Sequence, residues 1–465
     1  MTGLLFRGAV LLDGRRADVR VRGGRITAVG AGLDRAAEEV VDCRGGTLLP
    51  GLTDHHLHLH ALAAAEHSVP CAPPAVASGE ALAAVLGAAT TGDDGWVRGT
   101  GYDASVAGDL DAAALDRLHA ARPVRLQHRS GAMWVVNSAG AAVLDLAGTA
   151  HPGVERDAAG WPTGRLWRAD DWLRARLGGG RFPDLTGVGA RLTRLGITAV
   201  TDATPDLDRA AVDALAAARR DGALPQAVHL LGAPLEGGLP AGLSAGPLKL
   251  VLADSGLPDL DVLTGRIRSA HAAGRPVAVH VVTREALALL LAALEVTGVR
   301  SGDRIEHGAL VPRGVLPDLA RRGLRVVTQP GFLADRGDDY LRDVPADEHD
   351  DLYRAGSLAA AGVPVALSSD APHGPLDPWG VMAAAVGRRT RSGAVVGAGE
   401  RLAPAAALVA YLGPADDPGG PPRRVAAGAA ADLVLLDGPP AEVLAAPSAD
   451  RVRAVAVAGR LAWQR

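Results

Sequence analysis

The chain has 465 residues, which at roughly 150 residues per domain is room for about three domain-equivalents or for one large barrel with additions. Its 48 Lys plus Arg against 52 Asp plus Glu leave a net charge of −4, which removes the general electrostatic reason to bind nucleic acid or a membrane. Two cysteines, Cys43 and Cys71, are too few to staple a chain this long, so ordinary thiols in a reducing compartment are expected. Residues 1–14 carry neither a basic leader nor a small-residue cleavage site, and no apolar run reaches the roughly 18 residues that span a bilayer; a cytoplasmic protein is expected. Almost all the positive charge is arginine: Lys249 is the only lysine, and Asn137 the only asparagine. Coding pressure toward Ala, Gly, Arg and Pro accounts for that bias, and it makes a surviving lysine a place to look.

In chain order, short alternating pieces at 5–12, 18–22 and 26–29 are separated by Asp-Gly and Gly-Gly turns, and pieces at 431–437 and 453–457 repeat the style. The two ends predict one small discontinuous β-sandwich domain, residues 1–48 with 416–465. Residues 49–415 alternate apolar strand-like runs with Ala/Leu/Arg-rich helical stretches, the pattern of βα units around a parallel sheet. Strands are predicted at 51–58, 124–128, 197–202, 227–231, 248–253, 277–281, 304–307, 326–329 and 365–369. That is nine where a (β/α)8 barrel needs eight, so one belongs to an insertion. The stretch 61–180 holds five of the seven tryptophans, with dense Gly and Pro, and suits an elaborated region beside a site.

The strongest local signal is Asp54-His55-His56-Leu57-His58-Leu59-His60. Side chains alternate along a strand, so Asp54, His56, His58 and His60 are expected on one face, where neutral imidazoles two residues apart can hold a divalent metal. His60 lies past the expected strand end and His55 faces the other way; both read as supporting or surface residues. A barrel of about 250 residues has a period of roughly 31. Lys249 to His280 is 31 positions, His280 to His307 is 27, and His307 to Asp370 is 63, or two units. Each of these residues is read as sitting at or near the end of its strand, so His56, His58, Lys249, His280, His307 and Asp370 are expected to converge on the C-terminal rim.

This set resembles the amidohydrolase superfamily, specifically its YtcJ-like branch, which includes N-substituted formamide deformylases; the likeness covers nearly the whole chain. Further branch features are Trp96-Val97-Arg98-Gly99-Thr100-Gly101-Tyr102-Asp103, Asn137-Ser138, Gly160-Trp161-Pro162-Thr163-Gly164, Gly196-Ile197-Thr198 and Ser369-Asp370-Ala371-Pro372. The resemblance implies a divalent metal, one or two Zn²⁺, held by His56, His58, His280, His307 and Asp370, with Lys249 carboxylated by CO₂ as the bridging ligand. It also implies Asp370 as general base and acid in hydrolysis of C–N bonds in non-peptide amides, cyclic amides or formamides. The departures are Ser130-Gly131-Ala132 where the branch has Asp-Gly-His, Gly164-Arg165-Leu166-Trp167-Arg168 where it has Gly-x-Leu-x-Glu, and Thr283-Arg284 where it has Gly-Asp. They point to a different substrate from that of better-known members.

The chemistry suits the residues. A divalent metal lowers the pKa of water and polarises a carbonyl, and a carbamate on lysine offers two oxygens to two ions, which an always-protonated arginine cannot form. A decarboxylase or ester hydrolase on the same site, and a catalytically silent metal-binding protein, are the alternatives, because fold and ligands do not fix the reaction. Trp134, Asn137, Trp161, His128 and His373 are candidates for substrate binding, each with packing or a local hydrogen bond as the ordinary alternative. Arg98, Arg129 and Arg168 are candidates for holding a carboxylate. The expected partner is a small-molecule substrate, without nucleic acid or membrane, and a homodimer is the assembly considered.

Overall fold

The computed structural model describes residues 3–92, 94–178, 182–253 and 256–465. It divides into two compact units, one of residues 1–59 with 184–465 and one of residues 60–183.

In the larger unit, eight strands follow the predicted period: β1 (Leu52–Leu57), β2 (Ile197–Asp202), β3 (Ala227–Leu230), β4 (Leu248–Val251), β5 (Val277–Val281), β6 (Arg304–His307), β7 (Arg325–Thr328) and β8 (Val365–Leu367). They form two parallel arcs. β1, β2 and β3 lie side by side, with the short strand Leu243–Ala245 beyond β3, and β4 to β8 run consecutively. Runs such as Val277-Ala278-Val279 are covered on both faces, which is why they read as continuously apolar and not as alternating. No continuous ladder joins the arcs among the described residues. At one seam the Lys249 N–H donates to the Leu231 carbonyl at 3.0 Å; at the other, the Asp370 N–H donates to the His56 carbonyl at 2.8 Å and the His58 N–H to the Ala371 carbonyl at 2.9 Å.

The helices between strands bury their apolar stripe against the sheet. Leu260–Ala272 and Arg284–Thr297 contribute Leu263, Ile267, Leu287, Leu290 and Leu294 to a core shared with Val279, Ile305 and Val326. The second of these helices begins where the Thr283 hydroxyl accepts the Ala286 N–H at 3.2 Å and stops at Gly298, whose φ of 75° a side chain would resist.

Both chain ends enter one eight-stranded mixed sheet. They meet where Leu433–Leu436 pairs antiparallel with Thr47–Pro50. The ends thus join edge to edge in a single hydrogen-bonded path, and two facing sheets, which the expected sandwich requires, are not distinguished by that pairing. Phe6, Val19, Ile26, Leu48, Leu433 and Ala454 share its core.

The second unit carries its own six-stranded sheet, and Val124–His128 lies in it, which accounts for the ninth predicted strand. Cys43 and Cys71 are both buried free thiols, pushed up to about 12 by burial. Among the described residues no helix is long and apolar enough to cross a membrane.

Candidate metal centre

His56, His307 and Asp370 each offer a ligand atom, all within 4.8 Å of one another, and all three residues are buried. Strand geometry brings them together from β1, from the end of β6 and from just past β8. His58 and Lys249 join the cluster. His58 Nε2 lies 3.3 Å and His56 Nε2 3.4 Å from Asp370 Oδ1, and Lys249 Nζ lies 3.2 Å from His56 Nε2. The His280 ring stacks edge-on to His307 at 4.4 Å between centroids, and the His373 ring does the same to His58 at 5.5 Å.

The other nitrogen of each imidazole is committed. His56 Nδ1 bonds Glu306, which accepts from Arg304 Nε at 2.5 Å. His58 Nδ1 meets the Thr204 hydroxyl at 3.2 Å, and His307 Nδ1 meets Gln329 Oε1 at 2.9 Å. With a carboxylate and an amide oxygen as acceptors, His56 and His307 carry their proton on Nδ1, leaving Nε2 as a lone pair; such outer partners are how ligating imidazoles are oriented.

Electrostatics favour the same states. Burial pushes the His56 imidazole down to about 4, with the Lys249 ammonium adding to it, and burial pushes His307 down to about 3, so both are neutral at pH 7. Burial also lowers the Lys249 amine to about 8, against the pull of Glu306 and Asp370, so a fraction of free amine exists near neutrality. Burial raises the Asp370 carboxyl, but His58 at 3.3 Å and then the rings of His56, His307 and His373 outweigh it and hold the group well below its usual range. Three features fit a cation: ligand atoms of N/O type, neutral imidazoles, and Asp370 Oδ1, which is buried without a hydrogen-bond partner.

The backbone is held out of its ordinary range here. His307 has φ 71° and Asp370 has φ 55°, each a conformation costing about 1–3 kcal/mol for a side-chain-bearing residue and common at functional sites.

Strict alternation over 54–60 does not survive. β1 ends at Leu57, and between Asp54 and Leu57 it takes three steps while β2 takes two, from Val200 to Asp202. This bulge places His58 just beyond the strand, and His60 falls in the helix Leu59–Glu66. His55, expected as a supporting or surface residue, is wholly buried with both ring nitrogens lacking a hydrogen-bond partner. Asp54 ties β1 to β8 by accepting the backbone N–H of His56 at 3.1 Å and of Ser369 at 3.3 Å, and burial raises its carboxyl to about 7.

Four of the five pocket candidates lie in the second unit, where each has local work. Asn137 caps the helix Ser138–Val143: its Oδ1 accepts from Val124 and Gly140 N–H, and its Nδ2 donates to the carbonyls of His119 and Arg122. Trp134 Nε1 donates to Asp170 at 2.8 Å beneath the Arg98 guanidinium, His128 Nδ1 meets the Ser130 hydroxyl at 2.8 Å, and Trp161 is 66% exposed. Of the three arginines considered for a carboxylate, Arg98 donates to the Ala64 carbonyl at 2.7 Å, Arg129 pairs with Asp103 at 2.8 Å, and Arg168 is exposed. The residues that sequence reasoning missed are Glu306, Arg304, Thr204 and Gln329. The signal for the first two was present: two opposite charges flank Ile305 in a four-residue strand that ends in His307.

Comparisons with known proteins match this arrangement. A profile of the amidohydrolase family covers residues 39–462. An N-substituted formamide deformylase from Arthrobacter pascens is 27% identical over 91% of this chain and 90% of its own. A D-aminoacylase from Alcaligenes xylosoxydans xylosoxydans is 47% identical, over 12% of each chain. Among solved structures, an uncharacterised metal-dependent hydrolase from Pyrococcus horikoshii superposes with a TM-score of 0.72 at 21% identity, over 94% of this chain and 98% of that one. That likeness shows the fold, α/β with a TIM-barrel-like domain. With the profile spanning every strand of the site, the chain belongs to the amidohydrolase family of hydrolases.

Proposed function

We propose that this chain hydrolyses a C–N bond in a non-peptide amide, cyclic amide or formamide, at a divalent metal held by His56, His58, His280, His307 and Asp370. The observation that carries the reading is Asp370: an ionised, buried carboxylate with one oxygen lacking a hydrogen-bond partner, facing the Nε2 atoms of His56 and His58. A divalent ion at such a site supplies an acidified water and a polarised carbonyl. Zinc suits the nitrogen and oxygen donors. Asp370 takes the proton of the attacking water on its carboxylate and returns it to the leaving nitrogen.

Lys249 is read as a carbamate. Its free amine adds CO₂, forming an N–C bond and losing one proton from nitrogen, and the carbamate oxygens would then be available as metal ligands. The lowered amine pKa and the 3.2 Å approach to His56 support this. On the same reading the two arcs are one eight-stranded barrel, residues 49–415 with an insertion around 61–180, and the terminal sheet of 1–48 and 416–465 folds over as a sandwich. The formamide deformylase relative supports amide or formamide substrates, and the substituted Ser130-Gly131-Ala132 and Thr283-Arg284 segments support a different one from its own.

The test is element analysis of protein purified without chelator, beside an assay of amine release from N-substituted formamides, cyclic amides and simple amides. Bound metal and metal-dependent amine release are expected. CO₂ release without amine, or no turnover across the panel, would refute the assignment. Lys249→Arg is expected to lower metal content, and an unchanged content in a folded variant rules out the carbamate.

A further inference from the structure

Aromatic side chains are scarce in this protein, with 3 Phe and 4 Tyr in 465 residues. Three of those seven cluster beyond the ends of β6 and β7. Phe332 and Tyr353 meet edge to face at 5.7 Å, Tyr340 lies 5.8 Å from Tyr353, and their two hydroxyls are 3.1 Å apart. Beside them the helix Gly331–Asp343 kinks at Arg336, whose φ/ψ of −135°/21° leave the helical range. The kink lays the guanidinium over the Phe332 ring, 4.2 Å from its centroid, and lets Nη2 donate to the carbonyl of His373, three residues after Asp370. The Nε of Arg336 is buried without a hydrogen-bond partner. Its nearest carboxylate, Asp335, is 3.8 Å away and pairs more closely with Arg391, at 2.5 Å.

Tyr353 is held in place at a cost. Its φ is 44°, and buried Arg388 fixes that backbone by donating to the Tyr353 carbonyl at 2.9 Å and the Leu352 carbonyl at 2.7 Å. Non-glycine residues persist in this region when the surroundings over-determine them, and they gather at ligand sites. Burial and then Tyr340 push the Tyr353 phenol well above its usual range, with Arg336 and Asp370 acting on it in opposite senses. It is therefore a neutral phenol, its hydroxyl against that of Tyr340.

We propose that Arg336, Tyr353 and Phe332 form an anion subsite that takes the carboxylate of the substrate, with its apolar part on the aromatic wall. The inference rests on the hydrolase reading only in calling the occupant a substrate. A guanidinium stacked on a ring is already oriented, its buried Nε–H has no hydrogen-bond acceptor, with Asp335 only as near as 3.8 Å, and a planar carboxylate is the group its geometry matches. The class of substrate is thus an amide that also bears a carboxylate beside an apolar group.

The test uses chelator-treated, metal-free full-length protein, so that carboxylate binding to a metal is excluded and the outcome does not depend on turnover. Benzoate and neutral benzamide are titrated against the wild type, Arg336→Met and Arg336→Lys, with binding read by calorimetry and folding by near-ultraviolet circular dichroism. Benzoate is expected to bind the wild type more tightly than benzamide, to lose about tenfold in Arg336→Met, and to lose less in Arg336→Lys, which keeps the charge without the fork. Equal affinity for benzoate and benzamide, or benzoate binding that survives in a folded Arg336→Met, overturns the subsite; if that variant does not fold, unchanged benzoate binding in Arg336→Lys does so. A failed amine-release assay with a positive result here removes the hydrolase reading and leaves the anion site.

Discussion

Two buried polar networks lie in the larger unit, and they are built on opposite rules. Every side-chain nitrogen of Arg354 and of Arg388 has an acceptor. Arg354 donates to the Val311 carbonyl at 2.7 Å, to the Ser357 hydroxyl at 3.2 Å and to Glu400 at 2.5 Å, with Asp351 as a further partner; Arg388 donates to three backbone carbonyls. Around His56 the accounts are left open. Asp370 Oδ1, Asp54 Oδ2 and both terminal nitrogens of Arg304 are buried without a hydrogen-bond partner. An unsatisfied buried polar atom costs about 1–3 kcal/mol, so a chain keeps several together only where a ligand or water completes them. The saturated network is scaffold, and the unsaturated one is a site.

Four measurements break or sharpen that contrast. Asp370→Asn keeps the shape and removes the proton acceptor; turnover is expected to fall by about 10²–10⁴ with the melting temperature little changed, and near-normal turnover would erase the distinction. Arg354→Met leaves the buried Glu400 without its counter-charge, while Asp351 keeps Arg284, so denaturant unfolding is expected to show a loss of about 3–5 kcal/mol with the metal content per folded molecule unaltered. Glu306→Gln weakens the acceptor that orients His56, and competition with a chromophoric chelator is expected to reveal about 10–100-fold weaker metal binding.

The smallest effect concerns a carboxylate outside both networks. Glu38 is held down to about 2 by the Ala36 N–H and then by Arg22. Its folded pKa is depressed, so its contribution is complete above about 4.5, the ordinary value, and disappears as pH falls through about 2. Glu38→Gln is expected to flatten acid unfolding between those limits; a parent-like acid limb in the variant would remove Glu38 from the account.

Much of the site was legible because a parallel βα repeat puts its chemistry at strand ends. His56 stood out in a histidine-rich strand, Lys249, His307 and Asp370 by counting about 31 residues per unit, and the backbone delivers them to one cluster. What counting misses is sideways contact. Glu306 matters because His56 is opposite it, 250 positions away, and nothing local says so. Gln329 is the same case for His307. Alternation failed over 54–60 because one bulged residue is invisible in the pattern, and the same bulge left His55 buried where the pattern faced it away. Asn137 was singled out for its rarity and its motif; four hydrogen bonds now account for its amide. Edge-to-edge joining of the chain ends was equally out of view, since alternating strands read alike in one sheet or in two.

The lone lysine has a practical side. Lys249 is 2% exposed, and no other residue of the chain carries a side-chain amine. Amine-directed reagents therefore find no exposed lysine while the strands of the larger unit hold together, and an adduct on Lys249, told apart from one on the chain's α-amine, reports opening of the interior. Proteolysis at lysine is likewise confined to a single interior bond. The composition bias that emptied the surface of lysine has left the protein with a built-in clock for its own breathing.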